Sequence, residues 1–257
     1  MATPTLKDLG FDITPQEISN KWIDQKIVLA GFPKVGKTSF LAANGEKTWF
    51  LRCESGFNHV RTSGMDVRDF ADFDNAVNKL LAANKAGVFP WDTLVIDPGS
   101  RLMDFLSDRT VELGRQKFPN SDVNEVGDIG KGTGWFWYKN LVKATLNRLD
   151  PLPCAKVIVL HVHTEEKSDN PKDKTKTYKR DIISLSEKLG GPIREYADHI
   201  LQMKAGYVGE NMQARSLVSR GSKILEAGTR SKKLPESIQM GSDDVANWAK
   251  FKSFFDV

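Results

Sequence analysis

The sequence predicts an α/β fold, a mainly parallel sheet flanked by helices, with a β-hairpin and a helix toward the C-terminus. Two observations carry that expectation. Short apolar runs alternate with amphipathic segments from residue 26 onward, the order expected of parallel strands joined by crossover helices. The runs are also nearly continuous in apolar residues, as strands are when helices cover both faces of their sheet. Lys26–Ala30 is the first, ending in a glycine-containing loop, and a helix is expected over Thr38–Ala43. Thr48–Leu51 is the second, closed by the polar turn Cys53–Gly56. Ala76, Leu80, Leu81 and Ala83 give Asp72–Ala83 a helical spacing. Thr93–Ile96 reads as a buried strand stopped by Asp97-Pro98-Gly99, with a helix near Arg101–Leu113. Trp135–Leu149 is a further amphipathic helix and Lys156–Val162 the next strand. Glu166–Arg180 is polar and basic without periodicity, an exposed loop or hairpin. Tyr196–Met203 reads as a strand, and Arg215–Val218 with Lys223–Ala227 as a hairpin around Ser219-Arg220-Gly221-Ser222. Trp248, Phe251, Phe254 and Phe255 share one face of a C-terminal helix, which should dock on the body. Residues 1–24 read as an N-terminal arm and 25–257 as one domain.

Composition narrows the function classes. At 257 residues, 40% hydrophobic and 27% charged, the chain can bury a real core without disulfides or structural metals. No apolar run approaches the roughly 18 residues of a membrane helix. Met1–Glu17 lacks the basic-then-apolar order of a secretory leader. Cys53 and Cys154 fall in neither a CxxC nor a zinc spacing and read as reduced thiols of a cytoplasmic protein. The formal charge of +4 is unevenly spread: residues 167–180 carry six basic against two acidic side chains, and residues 220–233 five against one. The rest of the chain is net acidic.

The most specific signal is Gly31-Phe32-Pro33-Lys34-Val35-Gly36-Lys37-Thr38, a complete GxxxxGK[ST] between an expected strand and an expected helix. Glycines let successive backbone N–H groups curl around a phosphate without Cβ clashes. Lys37 brings a point charge to the β- and γ-phosphates, and Thr38 a hydroxyl for Mg²⁺. The helix start adds its partial positive charge. Gly31, Pro33, Lys34, Val35, Gly36, Lys37, Thr38 and Ser39 are therefore the expected nucleotide-binding residues, and the cofactors a nucleoside triphosphate and Mg²⁺. Asp97, closing the run Thr93–Ile96, suits the second metal-supporting carboxylate; a helix cap is its plainer role. Glu54 follows a strand expected beside that of Asp97, and spacing alone leaves it between a water-activating base and an exposed loop carboxylate.

With these residues the chain resembles the RecA-like P-loop ATPases, in particular the phage-encoded AAA-domain branch that includes single-strand-annealing ATPases. The resemblance covers about residues 25–256. It rests on the P-loop, on Trp49-Phe50-Leu51-Arg52-Cys53-Glu54-Ser55-Gly56, on Thr93–Asp97 and on His161-Val162-His163. Pro192-Ile193-Arg194-Glu195-Tyr196-Ala197-Asp198, Glu226-Ala227-Gly228-Thr229-Arg230-Ser231 and Leu234-Pro235 extend it. The resemblance implies a RecA-like core that binds ATP and Mg²⁺, with Glu54 as catalytic base beside Lys37. It implies a γ-phosphate sensor after the Asp97 strand, where histidine replaces the usual polar residue and register favours His163 over His161. The rival His-x-His metal pair lacks a third ligand at a zinc-like spacing.

The resemblance further implies a single-stranded DNA loop carrying Lys167, Lys172, Lys174, Lys176, Lys179 and Arg180, with Tyr178 the lone aromatic. A solvated, charge-rich loop is the plainer alternative. Arg230, with Lys232 and Lys233 behind it, falls where a neighbouring subunit would insert a cation in trans; Arg220 is a weaker substitute. The implied partners are single-stranded DNA, further copies of the chain in a ring or filament, and a single-strand DNA-binding protein. The implied activity is ATP hydrolysis in phage recombination, annealing or replication, in the host cytoplasm. Two other functions use the same phosphate site: a P-loop small-molecule kinase, which would need an arginine-rich lid, and a non-hydrolysing nucleotide-gated assembly protein.

Overall fold

A computed structural model describes residues 19–54, 60–168, 177–208 and 211–255. The chain runs through β1 (Lys26–Gly31), α1 (Lys37–Ala42), β2 (Thr48–Arg52), β3 (Ser63–Asp66), α2 (Phe70–Lys85), β4 (Thr93–Asp97) and α3 (Gly99–Lys117). It continues through α4 (Thr133–Asn147), β5 (Ala155–Ser168), β6 (Thr177–Ile183), α5 (Glu187–Tyr196) and β7 (His199–Val208). It closes with β8 (Asn211–Val218), β9 (Gly228–Thr229), β10 (Ser237–Met240) and α6 (Asp244–Lys252). The sheet order is β10-β8-β7-β1-β5-β4-β2-β3. From β7 to β3 every pairing is parallel, whereas β8 and β10 extend one edge antiparallel. This is the expected helix-flanked, mostly parallel sheet.

Alternation along the strands divides the core between the two faces of the sheet. Val28, Ala30, Ile158 and Leu160 meet Phe73 and Val77 of α2, Leu102 and Leu106 of α3, and Tyr138 and Val142 of α4. Ile27, Leu29, Val157 and Val159 meet Phe40 and Leu41 of α1, with Trp248 and Phe251 of α6. The C-terminal helix docks as its aromatic face predicts, with Phe254 only partly buried at its end. Asp69 caps α2 by accepting from the Asp72 N–H, and Asp243 caps α6 by accepting from Val245 and Ala246. No helix among the described residues is long and apolar enough to cross a membrane.

β3 and α5 have no counterpart in the sequence expectation, and α5 takes Tyr196 from the strand expected over Tyr196–Met203, so that β7 opens at His199. Three further differences concern the outline of the domain. β5 does not stop at Val162 but continues to Ser168, because β6 pairs with it antiparallel from Val162↔Ile183 to Ser168↔Thr177. Residues 166–168 and 177–180 thus form the outer rungs of this antiparallel pair, and residues 169–176 of the expected loop or hairpin lie outside the described residues. The hairpin expected from Arg215–Val218 and Lys223–Ala227 does not form. β8 pairs with β7 and β10 instead, and residues 222–225 close a turn in which Ser222 N donates to Leu225 O (3.0 Å). Glu226 explains the change: its carboxylate turns inward to accept from Arg194 Nε (2.6 Å) and Ile183 N (3.0 Å).

The third difference is at the N-terminal side. Trp22, on the expected arm, is 1% exposed among Trp248, Phe251 and Phe255, and its Nε1 donates to Thr93 Oγ1 (2.9 Å). The packed body therefore includes Trp22, ahead of the boundary expected at residue 25. Replacing Trp22 by Ala removes a fully buried indole and should lower unfolding stability by about 3–5 kcal/mol. Chemical denaturation of wild type and Trp22→Ala measures it; a loss below about 1 kcal/mol would place Trp22 outside the cooperative core.

Candidate functional site

β1 delivers the phosphate loop at its C-terminal end. The Met203 carbonyl of β7 lies 2.8 Å from where a Cβ on Gly31 would stand, so a side chain there would force the strands apart. Lys34 (φ 64°) and Gly36 (φ 95°) are both left-handed, which folds successive N–H groups toward one concavity. Val35 buries its side chain in the core and anchors the loop, whereas Phe32, Pro33 and Lys34 are exposed. The N–H groups of Lys37, Thr38 and Ser39 open α1 and have no carbonyl to accept them within the helix. Together these groups make a cradle for an anion.

Lys37 is buried and turns back over the loop, its Nζ donating to Gly31 O (2.8 Å) and Phe32 O (2.9 Å). Burial lowers its pKa to about 8, against the favourable fields of Asp97 and Glu54. Thr38 Oγ1 donates to Asp97 Oδ2 at 2.7 Å. Asp97 is pushed up to about 6, chiefly by burial, with the Thr38 bond and Lys37 acting in the other direction. The plainer capping role falls away, since Pro98 is the N-cap of α3 and no side chain caps it. One hydroxyl and one carboxylate at the cradle's edge are hard oxygen donors that fit Mg²⁺. Thr38 and Asp97 would hold such an ion, which supplies charge neutralisation to a bound phosphate.

β2 lies beside β4, as anticipated, in the register Arg52↔Asp97. Cys53 N donates to Asp97 O (2.8 Å), fixing the chain just before Glu54. Glu54 is exposed, and its carboxylate is near enough to act on Lys37, Asp97 and His161. Beside it opens a cavity of about 740 Å³ lined by Arg52, Arg61, Arg68 and Arg101. The buried Cys53 thiol is pushed up to about 12, so it is no nucleophile here.

The histidine against the loop is His161, which corrects the preference for His163. The β1–β5 register sets His161 opposite Gly31 and brings its Nδ1 to 3.5 Å from Lys37 Nζ. Burial and the Lys37 charge hold the ring below the usual histidine range, in its neutral form near pH 7. His163 lies two residues farther out, exposed, with Nδ1 3.1 Å from Ser184 Oγ.

The basic segment divides. Lys172, Lys174 and Lys176 lie outside the described residues. Lys179 is exposed; Lys167 pairs with Glu165 (2.9 Å); Arg180 is turned partly inward, its Nε buried without a hydrogen-bond partner among the described residues. Tyr178 is covered by Lys223, whose Nζ lies 4.4 Å from the ring centre. Arg180 and Tyr178 are therefore structural in this conformation rather than free for a polyanion.

Arg230 pairs with Asp198 (2.8 Å), and its N–H donates to the Asp198 carbonyl. Asp198 N in turn donates to Lys26 O, at the start of β1. Five residues of strand, roughly 16 Å, separate that level from Gly31, more than an arginine side chain spans. Arg230 is thus out of reach of its own chain's phosphate loop.

One residue at the loop escaped the sequence reading. Arg215 of β8 brings Nη1 within 2.6 Å of the Cβ position on Gly36. An isolated arginine in a strand carries no motif, and the antiparallel pairing with β7 and β10 that aims it becomes legible only once the strands are assembled.

A glycine-cradled lysine, a Thr–Asp pair across the sheet and a nearby glutamate define a P-loop nucleotide-binding domain. Residues 23–231 match the family described as AAA domain, and the chain belongs to it, as an AAA-type P-loop ATPase domain. A KaiC-like protein from the hyperthermophilic archaeon Pyrococcus horikoshii OT3 is similar in structure, with 11% identity and a TM-score of 0.42 over 86% of this chain and 87% of that one. No curated protein sequence matches the chain.

The two shifted groups set a pH window. Below about 6 Asp97 takes up a proton that an incoming metal must displace, and above about 8 Lys37 loses the proton that attracts phosphate. Affinity for the Mg²⁺–nucleotide should be greatest between these limits and fall by about tenfold per pH unit beyond either. Titration calorimetry from pH 5 to 9.5 reads both limbs; a flat alkaline limb would show that Lys37 keeps its proton unaided.

Proposed function

We propose that the protein hydrolyses ATP with Mg²⁺ and uses the cycle to act on single-stranded DNA, in phage-type recombination, annealing or replication. The observation that carries this reading is the path of β5. It is one strand that crosses the core at Val157–Leu160, meets Lys37 through His161, and runs outward into the hairpin that brackets the lysine-rich segment 169–176. A γ-phosphate that draws Lys37 from its carbonyls also changes what His161 faces, and a strand is stiff enough to carry that change to the hairpin.

In this reading Lys37 and the loop N–H groups bind the phosphates, and Thr38 and Asp97 hold Mg²⁺. Glu54 orients and deprotonates the attacking water. Bound Mg²⁺ would neutralise charge on the transferring group. Arg230, unable to reach its own site, serves a neighbour in a ring or filament of identical chains. Lys172, Lys174 and Lys176, which follow β5 and precede β6 in sequence, contact DNA phosphates together with Lys179, which gives salt-sensitive and sequence-tolerant binding. A single-strand DNA-binding protein is the partner such an activity meets on its substrate. The compartment is the host cytoplasm.

ATPase rates with and without single-stranded DNA test the proposal. Glu54→Gln should keep ATP binding and lose about 10²-fold or more in turnover. Full function without hydrolysis in that variant would favour the nucleotide-gated assembly protein. Replacing Lys172, Lys174 and Lys176 by Ala should lower the salt slope of DNA binding by about 2 and remove the DNA stimulation. Equal rates with and without DNA in wild type, or transfer of phosphate to a small acceptor, would overturn the DNA role.

A further inference from the structure

Among the described residues, one cation stands against the phosphate loop without a part in the site described above. Arg215 is 11% exposed, and its Nη2 donates to Asp244 Oδ1 at the start of α6, with Gly241 O at 3.5 Å. Its Nη1 points the other way, 2.6 Å from the Cβ position of Gly36, with Cζ and Cδ at 3.6 and 3.8 Å. Neither Nη1 nor Nε has a hydrogen-bond acceptor among the described residues. The guanidinium is thus fixed by one amino group and offers its other edge to the loop.

Strand order gives this edge a meaning. Thr38 and Asp97 mark the metal side of the cradle, toward β4, with Glu54 beyond it, just past the end of β2. Arg215 approaches from the other side, where β8 lies two strands from β1 through β7. Its register partner Ala205 lies two residues past Met203, the partner of Gly31, which raises Arg215 to the level of the loop. A triphosphate whose terminal phosphate meets the metal side must run its inner phosphates toward β7 and β8. We propose that Arg215 is a second cation of the nucleotide site, donating from Nη1 to the inner phosphates in cis, with Asp244 as the residue that orients it. Only glycine at position 36 lets the guanidinium come this close. Arginine suits the task because its planar fork can give one edge to a carboxylate and another to a phosphate.

The inference rests on the nucleotide-binding reading, and the test separates the two. ATP, ADP and inorganic tripolyphosphate are titrated against wild type, Arg215→Lys, Arg215→Gln and Arg215→Ala, with thermal unfolding and steady-state hydrolysis alongside. Arg215→Gln should weaken all three ligands by about tenfold, raise KM to match and leave kcat within about twofold. Arg215→Lys should recover most of that loss. Gln keeps a polar but uncharged side chain at this partly buried position, so it reads the missing charge even where Arg215→Ala fails to fold. Loss confined to ATP would assign Arg215 to the terminal phosphate, and unchanged tripolyphosphate binding would assign it to the nucleoside; either overturns the proposal. So does unaltered affinity with a lowered unfolding temperature, the mark of a brace alone. Wild type that binds none of the three ligands would refute the phosphate site itself, a failure distinct from that of Arg215.

Discussion

A single side-chain bond, Thr38 Oγ1 to Asp97 Oδ2 at 2.7 Å, sets the spacing of everything around the loop. β1 and β4 are not neighbours; β5 runs between them, and the bond closes over its end. Whatever residue β5 carries at that crossing must meet the phosphate lysine, and that residue is His161. The far side is tied through the backbone, since Cys53 N donates to the carbonyl of the same Asp97 and so brings Glu54 alongside. Closeness has an electrostatic cost. Lys37 and Asp97 are each buried enough to be pulled toward neutrality although their charges are opposite. Desolvation outweighs their attraction, and the site is held ready at the expense of its own charge.

The same loop is supported from beneath by the end of the chain. α6 starts at Asp244, which holds Arg215 against Gly36, and finishes at Lys252, which donates to Asp92 Oδ2 (2.6 Å). Between these ends Trp248 Nε1 donates to Asn44 Oδ1 (2.9 Å), just past α1, and Asn44 Nδ2 donates to Asp92 Oδ1 (2.8 Å) and Thr48 Oγ1 (3.0 Å). α6 therefore splints the short α1 along its length. Six residues of helix would be marginal alone, and tertiary contacts carry its stability. The aromatic cluster of Trp22, Phe40, Trp248, Phe251 and Phe255 is what the splint rests on.

How much could be read from sequence follows from how local each constraint is. The parallel core and the loop were legible because apolar runs and the GxxxxGK[ST] spacing are contiguous in the chain. Asp97 was legible from the strand that precedes it, and the nearness of Glu54 followed from the pairing of β2 with β4. The choice between His161 and His163 was not, because both point to the same side of β5 and only the register with Gly31 separates them. The expected Lys223–Ala227 strand failed for a related reason: its alternation is real, but Glu226 is bound by Arg194 from a distant helix. Arg180 reads as a surface cation in the sequence, yet antiparallel pairing with Glu165 turns it partly inward. Trp22 had no periodic neighbours to mark it as core.

The opposed positions of Arg230 and the phosphate loop bear on symmetry. The arginine stands at the N-terminal ends of the parallel strands, and the loop at their C-terminal ends. A two-fold pair could use both ends only if the two copies lay side by side and antiparallel, so that the contact of one copy's arginine with the other's loop is made twice. In the head-to-tail arrangement proposed above, Arg230 would serve the next copy through a heterologous contact, and a row of any length would keep one donor end and one acceptor end unused. An open row therefore always holds one incomplete site, at a fixed end. Closure of such a row into a ring would remove it, and polarity would then be a property of the assembly that no single copy displays.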